Sequence, residues 1–183
     1  MNEAYAGIDD ANKAHYHTIT TSENDHHRSQ KYLSFICHNT VFGISISKIK
    51  EIIEYEVVTR VPMVPTYIRG VMNLRGSVVP VIDLAVRLGK SATVLAKRTS
   101  IVVLEIEDNR GDKVNIGLLV DAVNEVIEVA AEAIADAPAF GGNIRPEFIS
   151  GMGKVGSKFL VILDADNILS IEELSSLGLS VDT

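Results

Sequence analysis

Alternation of apolar and polar positions dominates the chain from Lys31 onward and predicts a fold built mainly of short β-strands. Pairs of apolar runs flank short polar segments at 38–40, at Arg75-Gly76 and at 108–112, which is typical of hairpins. The predicted strands cover residues 32–37, 41–46, 57–61, 68–74, 78–82, 100–107 and 113–120.

Two short helices are predicted among these strands. Ser47 has the chemistry of a helix N-cap, and a helix over 48–54 would place Ile49, Ile52 and Ile53 on one face. Asp83 caps a second predicted helix, which reaches residue 88 and ends at a glycine.

Composition divides the chain into three regions. Residues 1–30 are rich in Asn, Asp, Ser, Thr and His without a fixed apolar period, so we expect a disordered arm. Residues 31–177 form the folded body, and 178–183 form a short tail. Within the body, Ser91–Arg98 is a predicted linker that marks a seam near residue 95.

The body contains an internal repeat. Residues 43–54 align with 117–128 at an offset of 74 (117 − 43), with glycine, glutamate and apolar positions retained. At an offset of 81 (164 − 83), Asp83 falls on Asp164, and each aspartate lies between an apolar strand and a short helix. A unit with about five short strands suits a small closed barrel, because closure removes sheet edges. The repeat therefore predicts two barrels side by side with a groove between them.

Charge and composition narrow the functional classes. The 183 residues are 46% hydrophobic and 22% charged, with a formal net charge of −7. No apolar run is long enough to cross a bilayer and no secretory signal is evident, so we expect a soluble, cytoplasmic protein. The single cysteine, Cys37, fits a reduced compartment. The basic residues are scattered, with Arg60, Arg69 and Arg75 as the nearest approach to a patch, which disfavours nucleic-acid binding.

Candidate catalytic groups lack partners. Cys37 and His38 are adjacent in a predicted strand and turn, so they point apart and make a poor dyad. The segment 151–156 fits the dinucleotide pattern G-x-G-x-x-G, but a strand follows it where that pattern needs a helix, so a β-hairpin is the better interpretation. Glutamates at 51 and 54, and at 125 and 128, fit a solvated face rather than an acid–base pair.

The histidines leave one alternative open. Four of the five, His15, His17, His26 and His27, lie in the arm, where a His-rich tract could bind a divalent metal. No cysteine or fixed spacing closes such a site, so a solvated tail is preferred. We expect neither a metal nor a cofactor.

Several motifs together resemble the CheW family of bacterial chemotaxis coupling proteins. The resemblance covers about residues 31–175, and its most specific part is Gly70-Val-Met-Asn-Leu-Arg-Gly76. The other matching segments are 58–61, 68–69, 79–84, 119–123, 148–153 and 160–164.

The resemblance implies a fold and a function. The fold would be two intertwined five-stranded SH3-like barrels. The function would be that of a non-enzymatic adaptor that couples transmembrane methyl-accepting chemoreceptors to the histidine kinase CheA. The partners would be the cytoplasmic receptor tips and the C-terminal regulatory domain of CheA, at membrane-associated arrays, without nucleic acid or direct insertion into the membrane.

The resemblance also implies two docking surfaces. Receptor-binding positions carried over from the family are Ile49, Ile52, Gly70, Asn73, Arg75, Gly76 and Val126. Kinase-binding positions are Ser77, Val78, Val79 and Pro80.

Alternative roles remain for some of these positions. Arg75 could pair locally with Glu51 as well as face the receptor. Ile53 and Ile127 are interpreted as core, and Pro80 as a residue that blunts an edge strand. At the level of function, the alternatives are the same scaffold role in a parallel pathway, such as surface motility or second-messenger control, or a ligand-sensing module.

Overall fold

A computed structural model of the chain describes residues 28–107, 111–137, 144–168 and residue 173. The described residues are mainly β, which confirms the predicted class. The strands are β1 (Ser29–Cys37), β2 (Thr40–Ser45), β3 (Ile49–Glu54), β4 (Ile68–Leu74), β5 (Ser77–Asp83), β6 (Ser100–Glu107), β7 (Lys113–Val120), β8 (Ala122–Ala130), β9 (Ile134–Ala135), β10 (Ile149–Val155) and β11 (Lys158–Leu163). The short helices are α1 (Leu84–Arg87), α2 (Ala165–Ile168) and 3-10 turns at Ile46–Lys48, Ala131–Ala133 and Pro146–Phe148.

The strands form two sheets that exchange segments. One sheet has the order β8-β1-β2-β11-β10-β9 and the other has the order β3-β6-β7-β5-β4. Both sheets contain strands from either side of residue 95, so the linker there is not a boundary between two units that follow one another along the chain. The intertwined arrangement implied by the resemblance describes this topology.

Each sheet curls towards a barrel because its two edges are joined by a short connection. β8 and β9 lie at opposite edges, which in a flat six-stranded sheet would be roughly 24 Å apart. Only residues 131–133 connect them, and this connection spans at most roughly 15 Å. In the other sheet, Thr59 follows β3 by a few residues and bridges to Val71 of β4. Among the described residues no ladder joins β8 to β9 or β3 to β4, so neither curl is closed by continuous pairing.

Apolar side chains fill three separate cores. One lies inside each curled sheet. The core of the five-stranded sheet contains Met72, Val81 and Ile101, and the core of the six-stranded sheet contains Val129 and Leu160. The third and largest core, called the central core below, lies between the sheets and takes side chains from both sheets and from the two α-helices. Central strands such as β6 are therefore buried on both faces, which explains their nearly unbroken apolar runs.

The hairpins predicted from the sequence are confirmed. β1 and β2 pair around His38-Asn39, both with positive φ, as a two-residue turn requires. β4 pairs with β5 around Arg75-Gly76, and β10 pairs with β11 where the glycine motif lies. The strands predicted at 100–107 and 113–120 have the bounds of β6 and β7.

The helix predicted over 48–54 is wrong. Residues 49–54 form β3, and residue 48 ends the preceding 3-10 turn. Glu51 and Ile53 are half-buried, Ile52 is exposed on the opposite face, and a register shift between Ile49 and Glu51 turns Ile49 towards the core between the sheets. Isoleucines at 49, 52 and 53 fit helical spacing, but β-branched side chains favour strands, and pairing with β6 decides the outcome.

Two boundaries also need correction. β1 begins at Ser29, so residues 29 and 30 belong to the folded body and not to the predicted arm. The strand predicted at 57–61 is reduced to the single bridge between Thr59 and Val71. Residues 1–27 and 174–183, with most of the predicted arm and all of the tail, lie outside the described residues.

The repeated aspartates cap the two helices, as predicted. Asp83 is fully buried, and its carboxylate accepts hydrogen bonds from the backbone N–H groups of Ala85 and Val86 and from Thr93. Asp164 accepts from the N–H groups of residues 166 and 167 at the start of α2. Arg69 lies 3.6 Å from the buried Asp83 carboxylate, so this cap also balances a charge.

We expect Asp83→Ala to destabilise the protein more than Asp164→Ala does, because only Asp83 is fully buried and also holds Thr93. The expected losses are about 3 kcal/mol for Asp83→Ala and about 1 kcal/mol for Asp164→Ala. Urea unfolding followed by circular dichroism measures both. Equal losses would mean that Asp83 acts only as a helix cap.

Candidate functional site

The tip of the β4–β5 hairpin is shaped by three predicted site residues. The Asn73 side-chain oxygen accepts a hydrogen bond from the Gly76 N–H at 2.9 Å. Arg75 and Gly76 both have positive φ, of 51° and 90°. Asn73 and Gly76 therefore fix the turn, and the turn projects Arg75 outward.

Arg75 forms an ion pair with Glu51. The guanidinium lies 3.0 Å from the Glu51 carboxylate, with the Arg75 side chain 76% exposed and that of Glu51 19% exposed. β3 and β4 are opposite edges of their sheet, so this pair joins the two edges where the sheet curls. The local pairing weighed from the sequence is confirmed, while most of the Arg75 side chain stays exposed to solvent.

One carboxylate oxygen of Glu51 has no hydrogen-bond partner among the described residues. This oxygen, Oε1, is buried, whereas Oε2 contacts Arg75. Since a buried carboxylate oxygen without a partner is costly, Glu51 depends on Arg75 for compensation.

Gly70 acts on this site through the backbone. It lies at a bulge in β4 with φ of 148°, and a Cβ atom there would come within 2.2 Å of the Thr59 carbonyl oxygen. Thr59 and Val71 exchange two backbone hydrogen bonds at this point. Gly70 thus allows β4 to approach Thr59 closely, where the two edges of the sheet meet. Its position is buried and is not exposed to a partner.

Ile52 and Val126 are exposed apolar residues at equivalent positions of the repeat. They are 45% and 54% exposed, on strands β3 and β8. Each strand is the edge of its sheet. Each residue pairs with a member of the core between the sheets, Ile52 with Val102 and Val126 with Leu33. The border of the central core therefore carries an exposed apolar side chain on each sheet.

The other apolar positions of these strands are directed inward. Ile49 is half-buried against the central core. Ile53 and Ile127 pack against the cores inside their own sheets, which confirms their interpretation as core residues.

The Ser77–Pro80 segment divides between surface and core. Ser77 and Val78 are exposed, whereas Val79 and Pro80 are buried. β5 pairs with β7 only over Val81–Asp83, so its first half has β4 as its single neighbour. Although β5 is a central strand, Pro80 stands where one of its edges is free, a position that tolerates the missing N–H.

The Cys37 thiol is not an activated nucleophile. Desolvation by burial raises its pKa to about 12, and the carboxylates of Asp121 and Asp83 add to this shift while Lys90 opposes it. The ring of His38 is exposed, and its Nε2 lies 2.9 Å from the Ser91 carbonyl, to which it donates. Cys37 is therefore buried while His38 is exposed, in agreement with the expectation that the two side chains point apart.

Within the described ranges, no three His, Cys, Asp or Glu side chains are grouped to hold a metal ion. The His-rich tract lies outside them. No helix in the described residues is both long and apolar enough to cross a membrane.

Sequence reasoning missed several exposed apolar side chains. Ile46, Val57, Met63 and Phe159 are exposed, and so is the pair Val94 and Leu95. The pair stands in a linker of small and polar residues, and that contrast is the signal that could have revealed it.

Comparisons with known proteins give one consistent result. The family model described as the CheW-like domain matches residues 31–173. A protein named chemotaxis protein CheW from Klebsiella aerogenes is 38% identical over 146 residues, covering 80% of this chain and 85% of that protein. A chemotaxis protein CheW from Bacillus subtilis is 33% identical over 147 residues, with coverage of 80% and 91%. The crystal structure of the scaffolding protein TtCheW from Thermoanaerobacter tengcongensis superposes with a TM-score of 0.68 at 30% identity, covering 79% of this chain and 94% of that one.

We expect Gly70→Ala to be far more damaging than Gly76→Ala, although both glycines have positive φ. Only at Gly70 would the new Cβ meet backbone, whereas nothing lies within 4 Å at Gly76. The expected stability losses are roughly 3 kcal/mol for Gly70→Ala and about 1 kcal/mol for Gly76→Ala. Chemical denaturation measures both, and equal values would contradict the close approach to Thr59.

The Cys37 thiol should make stability fall at alkaline pH. Its pKa in the folded state is raised to about 12, so its contribution is complete below the ordinary thiol value of about 8.5. Above that value the unfolded chain loses the proton first, and stability is lost by up to about 1.4 kcal/mol per pH unit until the folded thiol ionises. The measurement is the difference in unfolding free energy between the natural chain and Cys37→Ala from pH 7 to 11. A difference that stays constant over this range would refute the raised pKa.

Proposed function

The chain belongs to the CheW-like family, and from this premise we propose that it is a non-enzymatic adaptor that couples transmembrane chemoreceptors to the histidine kinase CheA. The observation that carries the proposal is the exposure of side chains at positions expected from the family. Ile52 and Val126 are exposed on two edge strands, Arg75 is exposed at the β4–β5 turn, and Ser77 and Val78 are exposed at the start of β5. An adaptor needs two faces, because it must hold two partners at once.

The first face fits a helical receptor tip. A helix docks by placing apolar side chains at intervals of three or four residues against an apolar groove. Ile52 and Val126 offer apolar contacts on the two sheets, and Arg75 adds a charged contact whose aliphatic stem covers apolar surface. Ile49 is half-buried and Gly70 is buried, so their effect on this face would be indirect.

The second face fits the regulatory domain of the kinase. The Ser77–Pro80 half of β5 has one free edge, and Val78 stands exposed on it. Free backbone edges and exposed apolar side chains promote contact between β-domains. Val79 and Pro80 are buried, so they hold the strand in position while Ser77 and Val78 make the contact.

This role requires no chemistry from the chain itself. The Cys37 thiol stays protonated at neutral pH, and the Glu51 carboxylate is paired with Arg75. Binding receptors and kinase together would recruit the protein to membrane-associated arrays.

Reconstitution tests the proposed function directly. Receptor-containing membranes, CheA and ATP are mixed with and without this protein, and CheA autophosphorylation is measured with and without attractant. We expect attractant to control the kinase only when the protein is present. Equal control in its absence would reject the coupling role.

Substitutions on the receptor face should weaken receptor binding without unfolding the protein. Ile52→Asp or Val126→Asp places a charge in an apolar contact, and Arg75→Glu reverses the charge of the projecting side chain. We expect each to lower affinity for a soluble receptor-tip fragment by roughly tenfold or more. Titration calorimetry measures the affinity, and circular dichroism monitors the fold.

Val57→Asp is the matched control, because Val57 is also exposed and apolar but lies outside the proposed face. Its affinity should be unchanged. Equal weakening by Val57→Asp would show that added charge alone explains the effect, and loss of folding in Arg75→Glu would assign Arg75 a structural role only.

A further inference from the structure

The linker between α1 and β6 presents apolar side chains to solvent although it is firmly held. Val94 is 85% exposed and Leu95 is 43% exposed. On one side of them, the buried Thr93 donates from its N–H and its hydroxyl to Asp83, both at 2.9 Å. On the other side, the hydroxyl of the buried Thr99 accepts from the Ala96 N–H at 2.8 Å. The fold thus fixes both sides of a segment whose exposed apolar side chains it does not use, and the turn that follows has Lys97 and Arg98 at its centre.

Basic residues flank this apolar pair in the sequence. Between residues 84 and 104 the chain has four basic residues and neither Asp nor Glu. Arg87 pairs with Glu173, whereas the remaining three form no ion pair with any described residue. The basic loop is defined here as Lys90, Val94, Leu95, Lys97 and Arg98. It is a positive, apolar surface on a protein whose net charge is −7.

The chain itself contains a segment of complementary chemistry. Residues 3–10 carry three carboxylates, at Glu3, Asp9 and Asp10, and no basic side chain. Tyr5 and Ile8 stand among them as apolar residues. Acidic groups spaced around two apolar side chains match a surface with two apolar side chains among three cations.

The tether has a suitable length. The basic loop lies near the far end of β1, since His38 after that strand donates to the Ser91 carbonyl. β1 is nine residues long, so its two ends are roughly 26 Å apart. The 18 residues 11–28 can extend to at most roughly 60 Å, so residues 3–10 can reach the basic loop.

From these observations we propose that residues 3–10 dock onto the basic loop of the same molecule. The carboxylates of Asp9 and Asp10 face Lys97 and Arg98, and the apolar side chains cover Val94 and Leu95. The contact is intramolecular and weakens with added salt, because much of its attraction is between exposed charges.

A spin label on the full-length chain tests this contact. Asn12→Cys provides the attachment point next to the segment, while Cys37 stays unlabelled because it is buried. We expect the backbone NMR signals of Val94 and Leu95 to be broadened by the label and those of the exposed Val57 to be unaffected. Absence of broadening at the basic loop overturns the proposal.

Charge exchange tests the chemistry. Asp9→Lys with Asp10→Lys should abolish the broadening, and adding Lys97→Glu with Arg98→Glu to the same chain should restore it. The matched control is Glu23→Lys with Asp25→Lys, an equal charge change outside the segment, which should leave the broadening intact. Loss of broadening in this control would reduce the effect to net charge and overturn the proposal.

Mixing two differently labelled chains distinguishes docking within one molecule from docking between two copies. An isotope-labelled chain without the spin label is combined with a spin-labelled chain without isotope. We expect no broadening in the mixture. Broadening there would assign the basic loop to a second copy and contradict intramolecular docking.

Discussion

Two parallel strand pairings hold this fold together, and each depends on a glycine. β2 pairs with β11 at Gly43 and Ile162, and β5 pairs with β7 at Gly117 and Val81. A Cβ atom at Gly43 would lie 2.8 Å from the Leu160 side chain, and one at Gly117 would lie 2.8 Å from that of Ile101. The missing side chains let each sheet curl closely over its own core. The same two pairings join segments distant in sequence, so neither sheet forms without both halves of the chain.

The exchange of strands explains where the exposed positions lie. β3 and β8 each leave the hairpin that precedes them and pair with the corresponding hairpin of the other half of the repeat, β3 with β6 and β8 with β1. As edge strands they direct one face to a core and leave Ile52 and Val126 in solvent. The repeat therefore produces two similar apolar borders around one central core. Arg75 breaks this symmetry, because the offset of 81 places Gly156 at its equivalent position in the β10–β11 turn.

Local chemistry was predictable from the sequence, whereas partners distant along the chain were not. The Asp83 cap and the hairpin at Arg75-Gly76 depend on neighbouring residues, and the structure agrees with both predictions. The 48–54 segment was misassigned because its isoleucine spacing suits a helix and a strand equally, and only pairing with β6 distinguishes them. The seam predicted near residue 95 follows a real break in secondary structure, but both sheets take strands from either side of it, which no local signal in the sequence indicates.

Simultaneous occupancy is what separates an adaptor from a protein with a single docking site. The most direct measurement is sedimentation velocity on a mixture of this protein, a receptor-tip fragment and the regulatory domain of CheA, each also combined in pairs. A faster-sedimenting ternary species that contains all three components is the predicted result. Competition, in which the receptor fragment displaces the kinase domain from the protein, would contradict two separate docking faces.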